Sequence, residues 1–242
     1  MKPLSEQNLI SQLSIDCVIF GFHERQLKVL LPKFKMVGDF WALPSGFIAQ
    51  DEGIDETAHR ILEERTGISP VFMEQFRTFG RAGRSNKALM EEIFALNEGT
   101  FGGIRFSDDD LQWFTRRFVS VGYFALVDIA KVKPVKTFLD ESIGWYNIRQ
   151  LPKTILDHNE MIEKALQTLQ LYVDQKPVAF HLLPETFTMK EVQDLYETIF
   201  GRPFRRNNFQ KKILELNVLE RLDKKFTGAA NKAPYLYRVR KN

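Results

Sequence analysis

The stretch GFIAQDEGIDETAHRILEERTGI, from Gly46 to Ile68, carries the strongest pattern in the 242-residue chain. It is typical of a strand and a polar loop that lead into a helix. Asp55 is the expected N-cap of this helix, and Gly67 is the expected residue after its last turn. Three apolar residues repeat at helical spacing within it: Ala58, Ile61 and Leu62.

Short β-rich runs flank this segment on both sides. SIDCVIFGF (14–22) and QLKVLLPKF (26–34) are separated by HER and predict a hairpin or adjacent strands. PVFMEQFRTFG (70–80) and FVSVGYFALVDI (118–129) predict a second strand pair, and IGWYNI (143–148) follows them. Strands broken by one internal helix, without strict alternation, indicate a mixed α/β sandwich.

A long insert lies between residues 81 and 117. It contains a predicted helix at NKALMEEIFALN, a Gly-rich turn at GTFGG and a second predicted helix that begins at SDDDLQWF. Long insertions of this kind are usually functional loops or tolerated additions. The sequence offers no basis for choosing between the two.

The last third of the chain has a different organisation. A helical pattern from Asp157 to Asp174 ends at QKP, which places a domain boundary between residues 1–174 and 175–242. Beyond it we expect a strand (VAFHLL), a helix capped by Thr188, a second helix (RRNNFQKKILELN) and two strands. The residues expected to be buried in the three helices are Met161, Ala165, Leu166, Leu169 and Leu171; Val192, Leu195, Tyr196 and Ile199; and Phe209, Ile213, Leu214 and Leu216.

Charge is distributed unevenly along the chain. The segment from Lys176 onward holds 14 Lys and Arg against 7 Asp and Glu, so the net charge of +3 leaves −4 on the first 175 residues. A basic tail on a slightly acidic body suggests a polyanionic partner, although a solvated basic surface fits equally well. The single cysteine, Cys17, lies in an apolar run and cannot form an internal disulfide, which indicates a reducing, cytoplasmic location. No segment is long and apolar enough to predict a membrane span.

The first segment resembles the Nudix box, G-x5-E-x7-R-E-U-x-E-E-x-G-U, without a gap. Seven residues match: Gly46, Glu52, Arg60, Leu62, Glu64, Gly67 and Ile68. In active members the second to fourth glutamates bind Mg²⁺ or Mn²⁺, and here those positions are Ile61, Glu64 and Arg65. The formal charge of that helix face changes from −3 to 0, so we expect no metal site, no cofactor and no catalytic residues.

The C-terminal segment resembles a winged helix. A helix, a turn at Gly201-Arg202-Pro203, a basic second helix and a basic hairpin follow one another in the order of that motif. Arg and Asn side chains can pair with base edges, and Lys can neutralise phosphate. RNA is a weaker alternative, since no RNA-binding aromatic signature is visible. The predicted DNA-binding residues are Arg205, Arg206, Asn207, Asn208, Lys211, Lys212, Lys224, Lys225 and Lys232.

Together the two segments resemble the Nudix-related transcriptional regulators, including a branch that controls sugar utilisation. The resemblance implies an α/β fold, a Nudix α/β/α sandwich with a mixed sheet, followed by a winged helix. It also implies a homodimer on double-stranded operator DNA, a repressor more than an activator, whose effector is a sugar or an ADP-ribose-like nucleotide. The residues expected to bind the effector are Phe47, Glu52, Arg60, Glu64, Arg81, Arg84, Arg116 and Arg117.

Two other functions remain open from the sequence. The chain could be an active Nudix hydrolase of ADP-ribose or another nucleotide sugar, with metal ligands recruited from the insert. The acidic residues available there are Glu91, Glu92, Asp108, Asp109 and Asp110. It could also be a nonenzymatic adaptor that binds another protein.

Overall fold

The structure is a computed structural model that describes residues 8–69, 71–84, 87–97, 100–101, 104–105, 107–225 and 233–240. Its strands are β1 (Leu9–His23), β2 (Gln26–Phe34), β3 (Ser45–Ala49), β4 (Phe72–Phe79), β5 (Thr100–Phe101), β6 (Ile104–Arg105), β7 (Val119–Val127), β8 (Asp140–Asn147), β9 (Phe187–Thr188), β10 (Leu219–Lys224) and β11 (Tyr235–Val239). Its α-helices are α1 (Ile54–Thr66), α2 (Lys87–Leu96), α3 (Asp108–Thr115), α4 (His158–Gln175), α5 (Met189–Phe200) and α6 (Arg206–Glu215).

The first domain is built on a mixed sheet in the order β4-β7-β1-β2-β8, with β3 paired to β1. β1 and β7 run parallel, with Ile15 opposite Val121. The other pairs are antiparallel, including the predicted β1–β2 hairpin. Glu24 and Arg25 at its tip have positive φ values of 49° and 59°, which lets a two-residue turn join the strands.

Helices cover both faces of this sheet. Cys17 and Ile19 of β1 pack on one side with Leu62 of α1. Val18 and Phe20 pack on the other side with Met161 of α4. Successive side chains of a strand point to opposite faces, so a strand covered on both sides has an almost continuous apolar sequence. The predicted α/β/α sandwich is confirmed.

The ends of α1 agree with the sequence in part. Gly67 has a φ of 69° and closes the helix, as predicted. The N-cap is Gly53, so the prediction of Asp55 was wrong. The Gly53 N–H donates to Glu56 Oε2 at 2.9 Å, and the Asp55 carboxylate instead accepts the hydroxyl of Tyr123. A tertiary contact thus displaces the local capping preference.

The second domain is a winged helix, as predicted. Its sheet has the order β10-β11-β9. Thr188 caps α5: its Oγ1 accepts the N–H of Glu191 at 3.2 Å, and the Glu191 carboxylate accepts the N–H of Thr188 at 2.6 Å. The tip of the predicted basic hairpin lies mostly in residues 226–232, which include Lys232 and lie outside the described part of the chain.

Four further local predictions were wrong. The segment Pro177–Leu182 is a 3-10 helix and not a strand, because Pro177 at its start has a fixed φ that suits a helical turn and lacks the N–H that a strand ladder needs. Leu171 is exposed, since Leu169 and Val173 two residues to either side occupy the inward face of α4. Two further leucines predicted to face inward are also exposed because Phe209 and Ile213 fill the inward face of α6: Leu214 and Leu216.

The two domains share one hydrophobic cluster. Phe124 and Leu169 of the first domain belong to it together with Phe187 and Val192 of the second. Gln170 Nε2 also donates to the carbonyl of Ile199 at 2.8 Å. The boundary between residues 174 and 175 stays a prediction. In the described ranges no helix is long and apolar enough to cross a bilayer.

Candidate functional site

The helix face that could hold a metal carries one carboxylate. Ile61 is buried, and its Cδ1 lies 3.0 Å from where a Cβ on Gly46 would be. A side chain at position 46 would therefore crowd the isoleucine. Glu64 is the remaining acid, with 55% of its side chain exposed. No cluster of three or more His, Cys, Asp or Glu side chains suited to a metal ion occurs among the described residues.

Arg65 is held in a buried ion pair. Its Nη1 lies 2.6 Å from Asp140 Oδ2, and the two side chains are 7% and 1% exposed. The same oxygen of Asp140 accepts the backbone N–H of Thr137 at 2.6 Å. The Nε of Arg65 is buried with no partner among the described residues. The Arg65 guanidinium and the Asp140 carboxylate paired with it thus occupy the end of the α1 face that would hold a metal. This arrangement disfavours a cation there.

Glu52 and Arg60 form a bidentate pair beside this face. Arg60 Nε donates to Glu52 Oε1 at 2.7 Å and Nη2 donates to Oε2 at 2.9 Å. Arg60 Nη2 also donates to the carbonyl of Phe47 at 3.1 Å, which fixes the loop before α1. Hydrogen bonding from Arg60 lowers the pKa of Glu52 to about 2. Both charges stabilise the loop–helix junction.

We expect Glu52→Gln to make the free energy of unfolding depend less on pH in the acid range. The folded-state pKa lies below the unfolded one, so the pair's contribution is complete above about pH 4.5 and is lost as the pH falls toward about 2. At neutral pH the change should cost about 1 kcal/mol, since Arg60 is partly exposed to water. Urea unfolding between about pH 7 and pH 2 tests this, with Glu63→Gln as the control on the exposed side of α1. An unchanged acid profile would contradict the prediction.

A cavity of about 280 Å³ opens beside α1. β1, β2 and β3 form its floor, and the segments around residues 137–140 and 155–158 form one wall. The insert covers it and contributes mainly apolar side chains, Leu89, Met90, Ile93 and Phe114, with Phe118 just after the insert. Phe47 packs edge-on against Trp113 of α3, with ring centroids 4.6 Å apart. The insert is thus a structural wall of the cavity.

A buried polar network crosses the back of the cavity. Asp16 accepts the hydroxyl of Ser120, and its other oxygen lies 3.5 Å from His158 Nε2. Burial lowers the pKa of His158, and its Nδ1 accepts the N–H of Leu43 at 3.0 Å. A neutral His158 with its proton on Nε2 therefore faces Asp16.

Arg84 joins the insert to this network. Its Nε donates to Asp157 Oδ2 at 2.9 Å, and its Nη1 donates to the carbonyl of Phe118 at 3.1 Å. Its Nη2 lies 3.9 Å from Asp16. Both arginines of the cavity are therefore neutralised by carboxylates, which limits the positive charge available to an anion.

The second candidate site is the exposed face of α6. Phe209 and Ile213 are buried against α5, so the residues between them face outward. Arg205 is the N-cap and precedes the first turn. The exposed residues of this face are Arg205, Arg206, Asn207, Asn208, Lys211 and Lys212. Lys225 is also exposed, whereas Lys224 is half-buried with its Nζ 5.5 Å from the Tyr235 ring.

Comparison with known families finds one match in each domain. Residues 11–165 match the NUDIX domain, and residues 179–239 match the NrtR DNA-binding winged helix domain. The chain belongs to the Nudix-related transcriptional regulators. The architecture and the family predicted from the sequence are therefore confirmed.

Similar proteins cover nearly the whole chain. The ADPR-responsive transcriptional repressor NtrR of Acinetobacter baylyi is 29% identical over 233 residues, which are 93% of this chain and 81% of that protein. Shewanella oneidensis NrtR, crystallised with a 27mer DNA, is 25% identical with a TM-score of 0.70 and 95% and 94% coverage. A MutT/nudix family protein from Enterococcus faecalis shares the fold at 20% identity, a TM-score of 0.66 and 96% and 87% coverage.

The cavity of the Nudix domain includes three of the predicted effector residues: Phe47, Glu64 and Arg84. Five others do not line it: Glu52, Arg60, Arg81, Arg116 and Arg117. Arg81 pairs with Glu160 at 2.5 Å, and Arg117 donates to the carbonyl of Gly80 at 2.6 Å. Arg116 is exposed where α3 ends. The effector site stays a prediction for all eight.

Several cavity residues were not singled out from the sequence. The polar ones include Asp16, Thr137, Asp140 and His158. Asp16 lies between Ile15 and Cys17 in the buried part of β1, and a charge inside a buried apolar run is a signal that could have identified it. Nothing in the local sequence marks Asp140 or His158, because the sheet brings them to α1 from far along the chain.

Proposed function

We propose that this protein is a DNA-binding transcriptional repressor whose Nudix domain binds a small-molecule effector, a sugar or an ADP-ribose-like nucleotide. The Acinetobacter relative is named as responsive to ADPR, and the Shewanella relative was crystallised with DNA. The exposed basic face of α6 supports DNA binding, and the cavity under the insert supports ligand binding.

The observation that carries the proposal is that single strands and helices extend from the cavity of the Nudix domain to the winged helix. β1 and β2 line the cavity through Asp16 and Phe34. At their other end the hairpin tip holds α5: Arg25 Nη2 lies 3.1 Å from Asp194 Oδ1, and Thr198 Oγ1 donates to the Arg25 carbonyl at 3.2 Å. A shift of the strands at the cavity would move the helix that packs under α6.

α4 makes a second connection. His158 at its start lines the cavity, and Asp157 just before it pairs with Arg84 of the insert. Farther along the same helix, Gln170 bonds to α5 through the carbonyl of Ile199. Packed elements that reach both sites can bias a two-state change at either end.

The test is a linkage measurement. The DNA probe is a duplex selected by the wild-type protein from a random-sequence library, and the ligand probes are ADP-ribose and a panel of monosaccharides. We expect one probe to change DNA affinity by a factor of about 5–150. Because coupling is reciprocal, DNA must change the affinity for that probe by the same factor. Binding of DNA without any response to the probes, or no binding of any duplex, would contradict the proposal.

We further propose that the Nudix domain does not hydrolyse its ligand. Ile61 and Arg65 replace two metal ligands, and the acids of the insert do not compensate. Glu91, Glu92, Asp108 and Asp109 are exposed and outside the cavity lining, and Asp110 accepts hydrogen bonds from Ser107. Phosphate-bond cleavage of ADP-ribose with Mg²⁺ or Mn²⁺ at about 1 s⁻¹ or faster would favour the hydrolase instead. An adaptor protein would bind neither duplex nor ligand probes.

We expect the protein to be a twofold dimer on a near-palindromic operator. One winged helix offers few base contacts, and a second copy one helical turn away raises affinity and specificity together. Light scattering of the free protein and of its complex with the selected duplex measures the stoichiometry. A monomer in both samples would rule the dimer out.

A further inference from the structure

Three arginines from distant parts of the sequence meet at the turn between α5 and α6. Arg25 lies at the β1–β2 tip, Arg149 follows β8, and Arg202 lies in the turn itself; all three line one cleft. We propose that this arginine cluster contacts DNA phosphates that flank the base pairs facing α6, so that the Nudix domain forms part of the DNA-binding surface. The inference rests on the proposed function, because it requires α6 to lie on DNA.

Arg149 belongs to the Nudix domain and lies against the turn. Its Nη2 is 3.5 Å from the point where a Cβ on Gly201 would be. Its backbone N–H donates to Asn147 Oδ1 at 2.9 Å, which holds the backbone at this position. The residue is exposed, and no carboxylate among the described residues forms an ion pair with it.

The other two arginines are also held in place. Arg25 pairs with Asp194, yet 66% of its side chain remains exposed. The guanidinium of Arg202 lies 5.4 Å from the centre of the Phe204 ring, and Arg202 is three residues before Arg205. The cluster is thus directly continuous with the start of α6. Because guanidinium groups bind phosphate oxygens in a planar geometry, fixed arginines suit a backbone contact.

The acids of the cleft do not cancel this charge. Asp194 is shared between Arg25 and Lys190, whose Nζ lies 2.6 Å away. Glu197 accepts the N–H of Phe204 at 2.9 Å and an N–H of Gln193 at 2.8 Å, which lowers its pKa. Both carboxylates stay charged, but the cleft holds three arginines against these two acids and so keeps a net charge of +1. Arg149 and Arg202 remain as the exposed positive charges at this edge of α6.

The domain interface makes the cluster rigid relative to α6. Residues of both domains share one buried cluster, and the hairpin tip bonds to α5 at two points. A phosphate contact from the Nudix domain would therefore need no separate ordering step. Such contacts position a protein on the duplex without reading its sequence.

The experiment compares Arg149→Ala with Arg77→Ala as a matched control. Arg77 is an exposed arginine on β4, at the opposite edge of the sheet from β8. Affinity is measured over a range of salt concentrations for the duplex selected by the wild type and for a scrambled duplex of equal length. Arg149→Ala should weaken both alike, by about fivefold near physiological salt, and reduce the salt slope by about one unit. Arg77→Ala should change neither.

Arg149→Lys separates charge from structure. It should restore most of the salt slope, because a phosphate contact requires a positive charge, and its thermal midpoint should match the wild type. Wild-type affinity and slope for Arg149→Ala, or a loss confined to the selected duplex, would overturn the inference. If the wild type itself binds no duplex, the proposed function fails first and this inference fails with it.

Discussion

Replacing both Arg205 and Arg206 with alanine is expected to weaken binding to the selected duplex by about 2–6 kcal/mol if both contact bases. Arg205 is the N-cap of α6 and Arg206 is its first residue, which is the end of a recognition helix that reaches base edges. Each single change should cost about 1–3 kcal/mol and relax the preference at one base position. Titration of the selected duplex and of variants with one altered base pair measures both effects.

Lys212→Ala is the matched comparison on the same helix. It lies later in α6, where a cation is better placed for phosphate than for a base. We expect it to weaken all sequences alike and to reduce the salt slope by about one unit. If the double arginine change leaves affinity and base preference intact in a folded protein, α6 is not the recognition helix, and the wing must read the DNA.

Arg65→Met is expected to lower the free energy of unfolding by about 3–5 kcal/mol. The change leaves Asp140 buried, charged and without its ion-pair partner, while methionine fills a similar volume. Hydrogen bonds from Thr137 still reach Asp140, which places the effect toward the lower end of that range. Urea unfolding at neutral pH measures the loss as a lower midpoint at constant slope.

Arg60→Met on the same helix is the control for this prediction. Its ion pairs are partly exposed, so the change should cost only about 1 kcal/mol. Equal losses at the two positions would show that burial of the Arg65–Asp140 pair does not matter. A stability for Arg65→Met equal to that of the wild type would show that the fold does not require an arginine at this metal-ligand position.

Most of the fold could be predicted because its strands and helices depend on residue patterns that span only a few positions in the sequence. The alternation and apolar runs of the strands, the spacing of the box residues and the caps at Gly67 and Thr188 are each set by neighbours a few residues apart. The predicted stripe on α5 is buried as expected, because the four positions share one face of a helix whatever packs against it.

Errors arose where more than one partner competes for a residue. Asp55 would suit an N-cap, yet Tyr123 of a distant strand takes its carboxylate. Leu214 is as apolar as Ile213, but α5 covers only one side of α6. Local propensity indicates which partners or positions suit a residue, and the tertiary contacts decide which of them it takes.

The two domains, the loss of carboxylates at Ile61 and Arg65, and the basic face of α6 all follow from the order of residues in the chain. The pairing of Asp140 with Arg65, the insert as a wall of the cavity, and the meeting of three arginines beside α6 required the folded molecule. The physical reason is that helix and strand periodicity fix which face a residue occupies. The partner on that face depends on strand order and on packing between elements far apart in the chain.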